Sequence, residues 1–179
     1  MYITPDQIRK VEERYGYPEV IETDWEIEPG ALAFVRASQK DGRSHDVTLF
    51  IFDGDRLALI RKHMFPEGAY RAPSGGIAPG EDFETGAVRE AMEETGLKVA
   101  LERYILRIHV RFKSGSEVIP WTSHIFTARR LGGELETLDK KEIEGTIYGT
   151  LDTLQGPIRK KLLEGRTRLF AYRVFLTDK

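Results

Sequence analysis

Between Gly75 and Leu97 the chain reads GGIAPGEDFETGAVREAMEETGL. Glu90, Glu93 and Glu94 stand at i, i+3 and i+4, a spacing that brings three carboxylates to one face of a helix. Like charges so placed cost about 0.2–0.5 kcal/mol per pair even in water, and a divalent cation removes that cost. Mg²⁺ and Mn²⁺ take hard oxygen ligands, and Mg²⁺ sites pair one or two carboxylates with waters and phosphate oxygens. The cluster therefore points to phosphate chemistry. Ahead of it, Gly75, Gly76 and Gly80 let backbone approach a ligand closely, and the following helix N-terminus offers N–H groups to an anion. A P-loop is excluded, because Glu81-Asp82 stand where that loop needs Lys followed by Ser or Thr. Arg89 and Glu81 are spaced to pair and lock the loop to the helix.

The segment resembles the Nudix box, G-x5-E-x7-R-E-U-x-E-E-x-G-U with U apolar, through Gly75, Glu81, Arg89, Glu90, Ala91, Glu93, Glu94, Gly96 and Leu97. Every specified position is filled. The resemblance implies an α+β Nudix fold: a mixed β-sheet core sandwiched by α-helices, with an extra N-terminal helix. It implies residues 1–30 as a helical or extended addition and 31–179 as the hydrolase domain. The implied activity is Mg²⁺- or Mn²⁺-dependent hydrolysis of the phosphoanhydride bond of a nucleoside diphosphate linked to another group. ADP-ribose and nucleotide sugars rank ahead of nucleoside triphosphates and dinucleoside polyphosphates. Lys113, Ser114 and Gly115 occupy the places where subfamilies carry a signature Pro or Tyr, so the substrate is not fixed. The competing reading is a nucleotide sensor of the same fold, which would be expected to lose the metal-site glutamates that this chain retains.

Carried over residue by residue, Glu90 and Glu94 are the principal metal ligands. Glu93 is a third ligand or a water-held one, the Gly75 carbonyl is a backbone ligand, and Arg89 and Glu81 orient them. The general base lies in the box in some members and on a downstream loop in others; here "DKKEIEG" offers Glu142 and Glu144, beside the plainer reading of a solvated loop. Arg61, Lys62, His63 and Arg71 could meet phosphates, with Gly75 and Gly76 contributing backbone. Among Trp25, Phe34, Tyr70 and Trp121, Trp121 is the first candidate to stack on a base. His109 and His124 lack a second histidine at ligand spacing and read as structural. Glu84 reads as an ordinary solvated residue, and the box face as solvated.

These residues need elements to hold them. Thr4 and Pro5 open a short helix that Gly16 ends. "ALAFVRA" (31–37), "DVTLFIF" (46–52) and "RLALIRK" (56–62) read as strands, the last two joined by a hairpin at Asp53-Gly54-Asp55. Residues 83–95 are helical up to a left-handed C-cap at Gly96. Residues 98–112 and 117–130 form a long hairpin. "LGGELETLDKKEIEG" is a mobile loop with a brief strand, "LDTLQGPIRKKLLEG" a helix closed by Gly165, and the C-terminal segment fits helix or strand equally.

With 179 residues, 40% hydrophobic and 31% charged, the chain suits one globular domain. A net charge of -2 gives no basic field for duplex nucleic acid. No apolar run approaches a membrane span, and the first residues carry no secretory signal. With no cysteine, a reducing cytoplasm is the expected location. Tyr15, Tyr17, Val20 and Trp25 could pair with a second subunit as a homodimer.

Overall fold

The computed structural model describes residues 2–179. Strands β1 (Glu19–Glu26), β2 (His45–Asp53), β3 (Arg56–Lys62), β4 (Ser74–Gly75), β5 (Leu97–Ser114), β6 (Glu117–Gly133) and β7 (Ile143–Gly149) form one sheet. Its order is β1-β5-β6-β2-β3-β7, with β4 paired to β2. β1 and β5 run parallel, as do β2 and β6, whereas the other neighbours are antiparallel. The helices are α1 (Pro5–Tyr15), α2 (Pro29–Ser38), α3 (Phe83–Thr95), α4 (Leu151–Thr153), α5 (Arg159–Leu163) and α6 (Arg168–Asp178). A π-helical turn containing Pro157 links α4 to α5.

Helices cover both faces, so β2 is buried along most of its length, with Val47 and Leu49 to Phe52 forming an apolar run interrupted by Thr48. On one face Phe83, Ala87 and Ala91 of α3 and Val11 of α1 pack against Val47, Leu49 and Ile51. On the other, Leu32 and Val35 of α2 and Phe170 and Val174 of α6 pack with Phe50, Leu57 and Leu59. Each large apolar side chain buried this way contributes about 1.5–3 kcal/mol. β5 serves both cores. Leu97, Val99 and Leu101 face the α3 side, and register shifts between Leu101 and Arg103 and between Tyr104 and Leu106 move Leu106, Ile108 and Val110 to the α6 side.

One feature of the sheet sets up the site. β2 and β3 pair only at the hairpin end, Phe52 with Leu57 and Asp53 with Arg56, and then diverge. The chain from 71 to 75 enters the gap, bridging Arg71 to Ile60 on one side and pairing Ser74 and Gly75 with Thr48 and Val47 on the other. The glycine loop is thereby clamped between two central strands.

Two expectations need correction. "ALAFVRA" is helix α2: Pro29 occupies its first turn, and Ala31, Leu32 and Val35 bury one helical stripe, a 3.6 rather than a 2.0 period. The loop before β7 is anchored rather than mobile. Leu138 and Asp139 both donate backbone N–H groups to the Glu93 carbonyl at 3.0 Å, and Glu136 donates to Thr95 O at 3.0 Å. β1 falls in the 1–30 stretch expected to be helical or extended, with half-buried Ile21, Thr23 and Trp25 alternating with exposed Glu22, Asp24 and Glu26. The C-terminal segment is helical as α6, its N-terminus capped by the Thr167 side chain, which accepts from Leu169 N. Of the four residues expected to meet another subunit, Tyr15 packs on Phe126 and Trp25 on Tyr172, leaving Tyr17 and Val20 exposed.

Candidate active site

α3 begins where the Asp82 side chain accepts from Thr85 N at 3.1 Å and ends at Gly96, whose φ of 72° is the left-handed cap conformation. Arg89 fastens this helix to the loop. Its guanidinium donates to both Glu81 oxygens, at 2.8 and 2.9 Å, and to the Gly76 carbonyl at 3.0 Å. The remaining nitrogen reaches Glu90 at 2.9 Å and Glu93 at 3.2 Å. The hydrogen bonds from Arg89 hold the Glu81 carboxyl below its ordinary range.

The three box carboxylates occupy different environments, which corrects the solvated face expected from spacing. Glu93 is exposed, Glu90 is half-buried and Glu94 is only 4% exposed. Glu94 accepts from Ser74 N at 2.7 Å and lies 3.6 Å from the Lys62 ammonium. Burial pushes both Glu90 and Glu94 upward, and Glu90 raises Glu94 further. Gly75 makes the crowding feasible, since a Cβ there would lie 2.5 Å from Glu90 Cγ and nearer still to its carboxyl group.

Among the described residues no three Asp, Glu, His or Cys side chains converge as they stand on a metal position. Arg89 holds Glu90 and Glu93, while Ser74 and Lys62 hold Glu94. The donor set nevertheless fits a hard cation. It consists of carboxylate and carbonyl oxygens, and burial raises both Glu90 and Glu94 despite their cationic neighbours, so a divalent charge would favour their ionised forms.

These groups open onto a cavity of about 810 Å³, lined also by Gly75, Gly76, Arg43 and Lys62. The structure separates the other candidates. Glu142 lines this cavity and accepts from Lys62 Nζ at 2.8 Å, a bond that holds its carboxyl below the ordinary range. Glu144 instead pairs with Arg61 at 3.1 Å, and neither lines the cavity. Arg71 and Trp121 line a smaller adjoining cavity. His124 is buried against Tyr104, and His109 meets Thr122. Glu84 forms an ion pair with Arg14 of α1 at 2.8 Å and is not a freely solvated residue.

Two residues escaped sequence reasoning. Arg43 donates twice to the Ser38 carbonyl, at 3.1 and 2.9 Å, and its guanidinium lies 5.8 Å from the Trp121 ring centre. Asp46 is buried and accepts from Trp121 Nε1 at 2.8 Å, Ser123 Oγ at 2.6 Å and Arg173 at 3.0 Å. Burial alone would raise its carboxyl, but Arg173 and these donors outweigh it and bring it down to about 2. Partners this distant in sequence leave no local pattern that marks either residue.

The family model described as "NUDIX domain" matches residues 42–170. NAD-capped RNA hydrolases NudC from Pseudomonas syringae pv. syringae and Pseudomonas aeruginosa are each 31% identical, over 98 and 114 residues. Those matches cover 48% and 62% of this chain but only 35% and 37% of the relatives, so the chain corresponds to little more than a third of their length. Among solved structures, a MutT NUDIX hydrolase from Burkholderia pseudomallei superposes with a TM-score of 0.50 at 26% identity, over 74% of this chain and 98% of that one. A UDP-X diphosphatase superposes with a TM-score of 0.50 at 18% identity, over 83% of this chain and 72% of that one, a likeness of fold.

Proposed function

Because this chain belongs to the NUDIX domain family, we propose that it is a pyrophosphohydrolase that uses Mg²⁺ or Mn²⁺ to cleave the P–O–P bridge of a nucleoside diphosphate derivative. The observation that carries the reading is the meeting of Glu90, Glu93 and Glu94 with the Gly75-Gly76 backbone at the wall of one large cavity. Glu90, Glu94 and the Gly75 carbonyl would hold the cation, with Glu93 as a third or water-held ligand. When bound, the cation supplies Lewis-acid polarisation of the diphosphate and a more acidic water.

The chain's own residues supply position and proton handling. Arg89 keeps loop and helix in register, so the ligand oxygens move as one body. Lys62 and Arg43 face the cavity as cations for phosphate oxygens. Glu142 Oε2, kept ionised by Lys62, is placed to accept a proton from the attacking water.

ADP-ribose and nucleotide sugars lead the substrate panel, joined by NAD because of the relatives' chemistry. The test is incubation with that panel and Mg²⁺ or Mn²⁺, reading mononucleotide products. Turnover of at least one member, abolished in Glu94→Gln, is the expected result. Tight binding of one member with no turnover of any would instead make the chain a nucleotide sensor. No helix among the described residues is long and apolar enough to cross a membrane.

A further inference from the structure

Beside the large cavity lies a second, of about 140 Å³, that shares Lys62, Ser74 and Gly75 with it. A ligand can therefore occupy both at once. Its walls are aromatic: Phe34 from α2, Phe112 from β5, Trp121 from β6, and Phe170 and Tyr172 from α6, with Phe65 from the loop after β3. The volume sets the size of the guest, since an apolar cavity of about 150 Å³ takes up one benzene ring.

The polar groups set its chemistry. Arg43, Lys62, Arg71 and Arg173 line the cavity against the single carboxylate of Asp46. That carboxylate is already engaged, one oxygen by Trp121 and Ser123 and the other by Arg173. It offers little to a ligand and serves to hold the indole and the guanidinium in place. Arg173 gives Asp46 one N–H at 3.0 Å, and among the described residues its side chain has no other hydrogen-bond acceptor. A guanidinium carries five N–H groups, so Arg173 retains donors and no acceptor for a guest. The guest must therefore bring the acceptor. Arg43, stacked over Trp121 and fixed by Ser38, stands where the two cavities meet; a Cβ at Gly76 would lie 2.7 Å from its Cζ.

We infer that the small cavity receives the end of the substrate as a single six-membered uncharged ring carrying a carbonyl or carboxyl acceptor, and so selects diphosphates that contain a pyrimidine or dihydropyridine ring over those whose only bases are purines. The inference rests on the hydrolase reading and ranks its substrates. Arg173 is then a specificity residue that touches the acceptor, and Asp46 a positioning residue behind it. A purine adds a fused ring that the walls have no room for, and one misfitted group in such a pocket changes kcat/KM by about 10- to 200-fold.

The test compares kcat/KM for a uridine diphosphate sugar, NADH, ADP-ribose and diadenosine diphosphate at fixed Mn²⁺. At least one of the first two should exceed both purine-only compounds by about tenfold or more; which of the two leads tells pyrimidine from dihydropyridine. Equal turnover of the purine-only compounds overturns the inference while leaving the hydrolase reading standing. If nothing turns over, the hydrolase reading fails and metal-free calorimetry with uridine monophosphate, reduced nicotinamide mononucleotide and adenosine monophosphate decides the ring question. Adenosine monophosphate binding as tightly as the other two overturns it.

Two variants probe the walls. Arg173→Met should raise KM for the favoured substrate about tenfold with kcat within about twofold, the signature of lost uniform binding. Because that change also strips Asp46 of its cation, Leu169→Trp at the half-buried wall is the companion, checked for an unchanged melting temperature. A filled cavity that leaves the preference intact overturns the assignment.

Discussion

Gly75→Ala isolates the contact between the glycine loop and the box helix. Gly75 does not sit in the left-handed region, so alanine fits its backbone and the effect is steric alone. The new Cβ would lie 2.5 Å from Glu90 Cγ and closer still to the carboxyl group. Ordinary carbon contact is about 3.5–4.0 Å, so the Glu90 side chain must retreat by about 1 Å. Metal–oxygen distances tolerate only about 0.2 Å, and a shift five times larger removes Glu90 from the ligand set. Loss of even an orienting neighbour weakens metal sites about 10- to 100-fold, or about 1.4–2.8 kcal/mol, and Gly75→Ala should lose at least that much Mn²⁺ affinity. Titration calorimetry with Mn²⁺ reads the affinity and thermal melting reads the fold. Gly80→Ala is the control: nothing lies within 4 Å of its Cβ, but its φ of 77° strains any other residue. It should cost about 1–2 kcal/mol of stability and leave Mn²⁺ affinity alone. A Gly75→Ala protein that binds Mn²⁺ within twofold of the parent refutes both the contact and the assignment of Glu90 as a ligand.

Other perturbations address the rest of the site. Glu94→Gln should lower kcat by at least about 100-fold while the melting temperature holds or rises. The buried carboxylate is raised by desolvation, and the glutamine oxygen can still accept from Ser74 N; a melting temperature many degrees lower would contradict this. Glu142→Gln should reduce kcat by about 10²–10⁴-fold, whereas Glu144→Gln, paired with Arg61 outside the cavity, should change it little. Full activity in Glu142→Gln places the base elsewhere. Stability should fall in acid. Burial, with Arg43 nearby, brings His45 down to about 4, and burial beside His45 brings His124 down to about 3. The unfolded chain therefore binds protons below about 6.5 that the folded chain refuses, so this stability is complete above 6.5 and is lost as pH falls toward 4. His45 alone accounts for on the order of 3 kcal/mol across that window. Urea midpoints that stay level between pH 7 and 4.5 would show that the histidines do not titrate this way.

Local physics was the part of the fold that the sequence exposed. The 83–95 helix has its bounds written into Asp82 and Gly96, and the β2–β3 hairpin into Asp53-Gly54-Asp55. Apolar runs without clear alternation were ambiguous, because "ALAFVRA" offers apolar residues at both periods and only packing against β5 and β6 selects the helix. β1 carries a strand's alternation, but its place at the sheet edge is set by parallel pairing with β5, which no local pattern marks.

The same division runs through the site and explains why its chemistry was easier to read than its substrate. The proposed metal carboxylates share one helix, so helical geometry writes them into adjacent letters: Glu90, Glu93 and Glu94. Their individual roles were hidden even so, since Glu94 is buried by Ser74 and Lys62, which reach it from the sheet. A substrate pocket has no such constraint. Asp46 and Arg173 meet across 127 residues, and Trp121 joins them from the neighbouring strand β6, 75 residues from Asp46. Each of these residues alone reads as core or surface. Only the divergence of β2 from β3, which admits the segment carrying Arg71, Ser74 and Gly75, brings this distant group alongside the box. On the proposed reading, substrate choice thus depends on how the sheet is opened, and the metal site on a single helix.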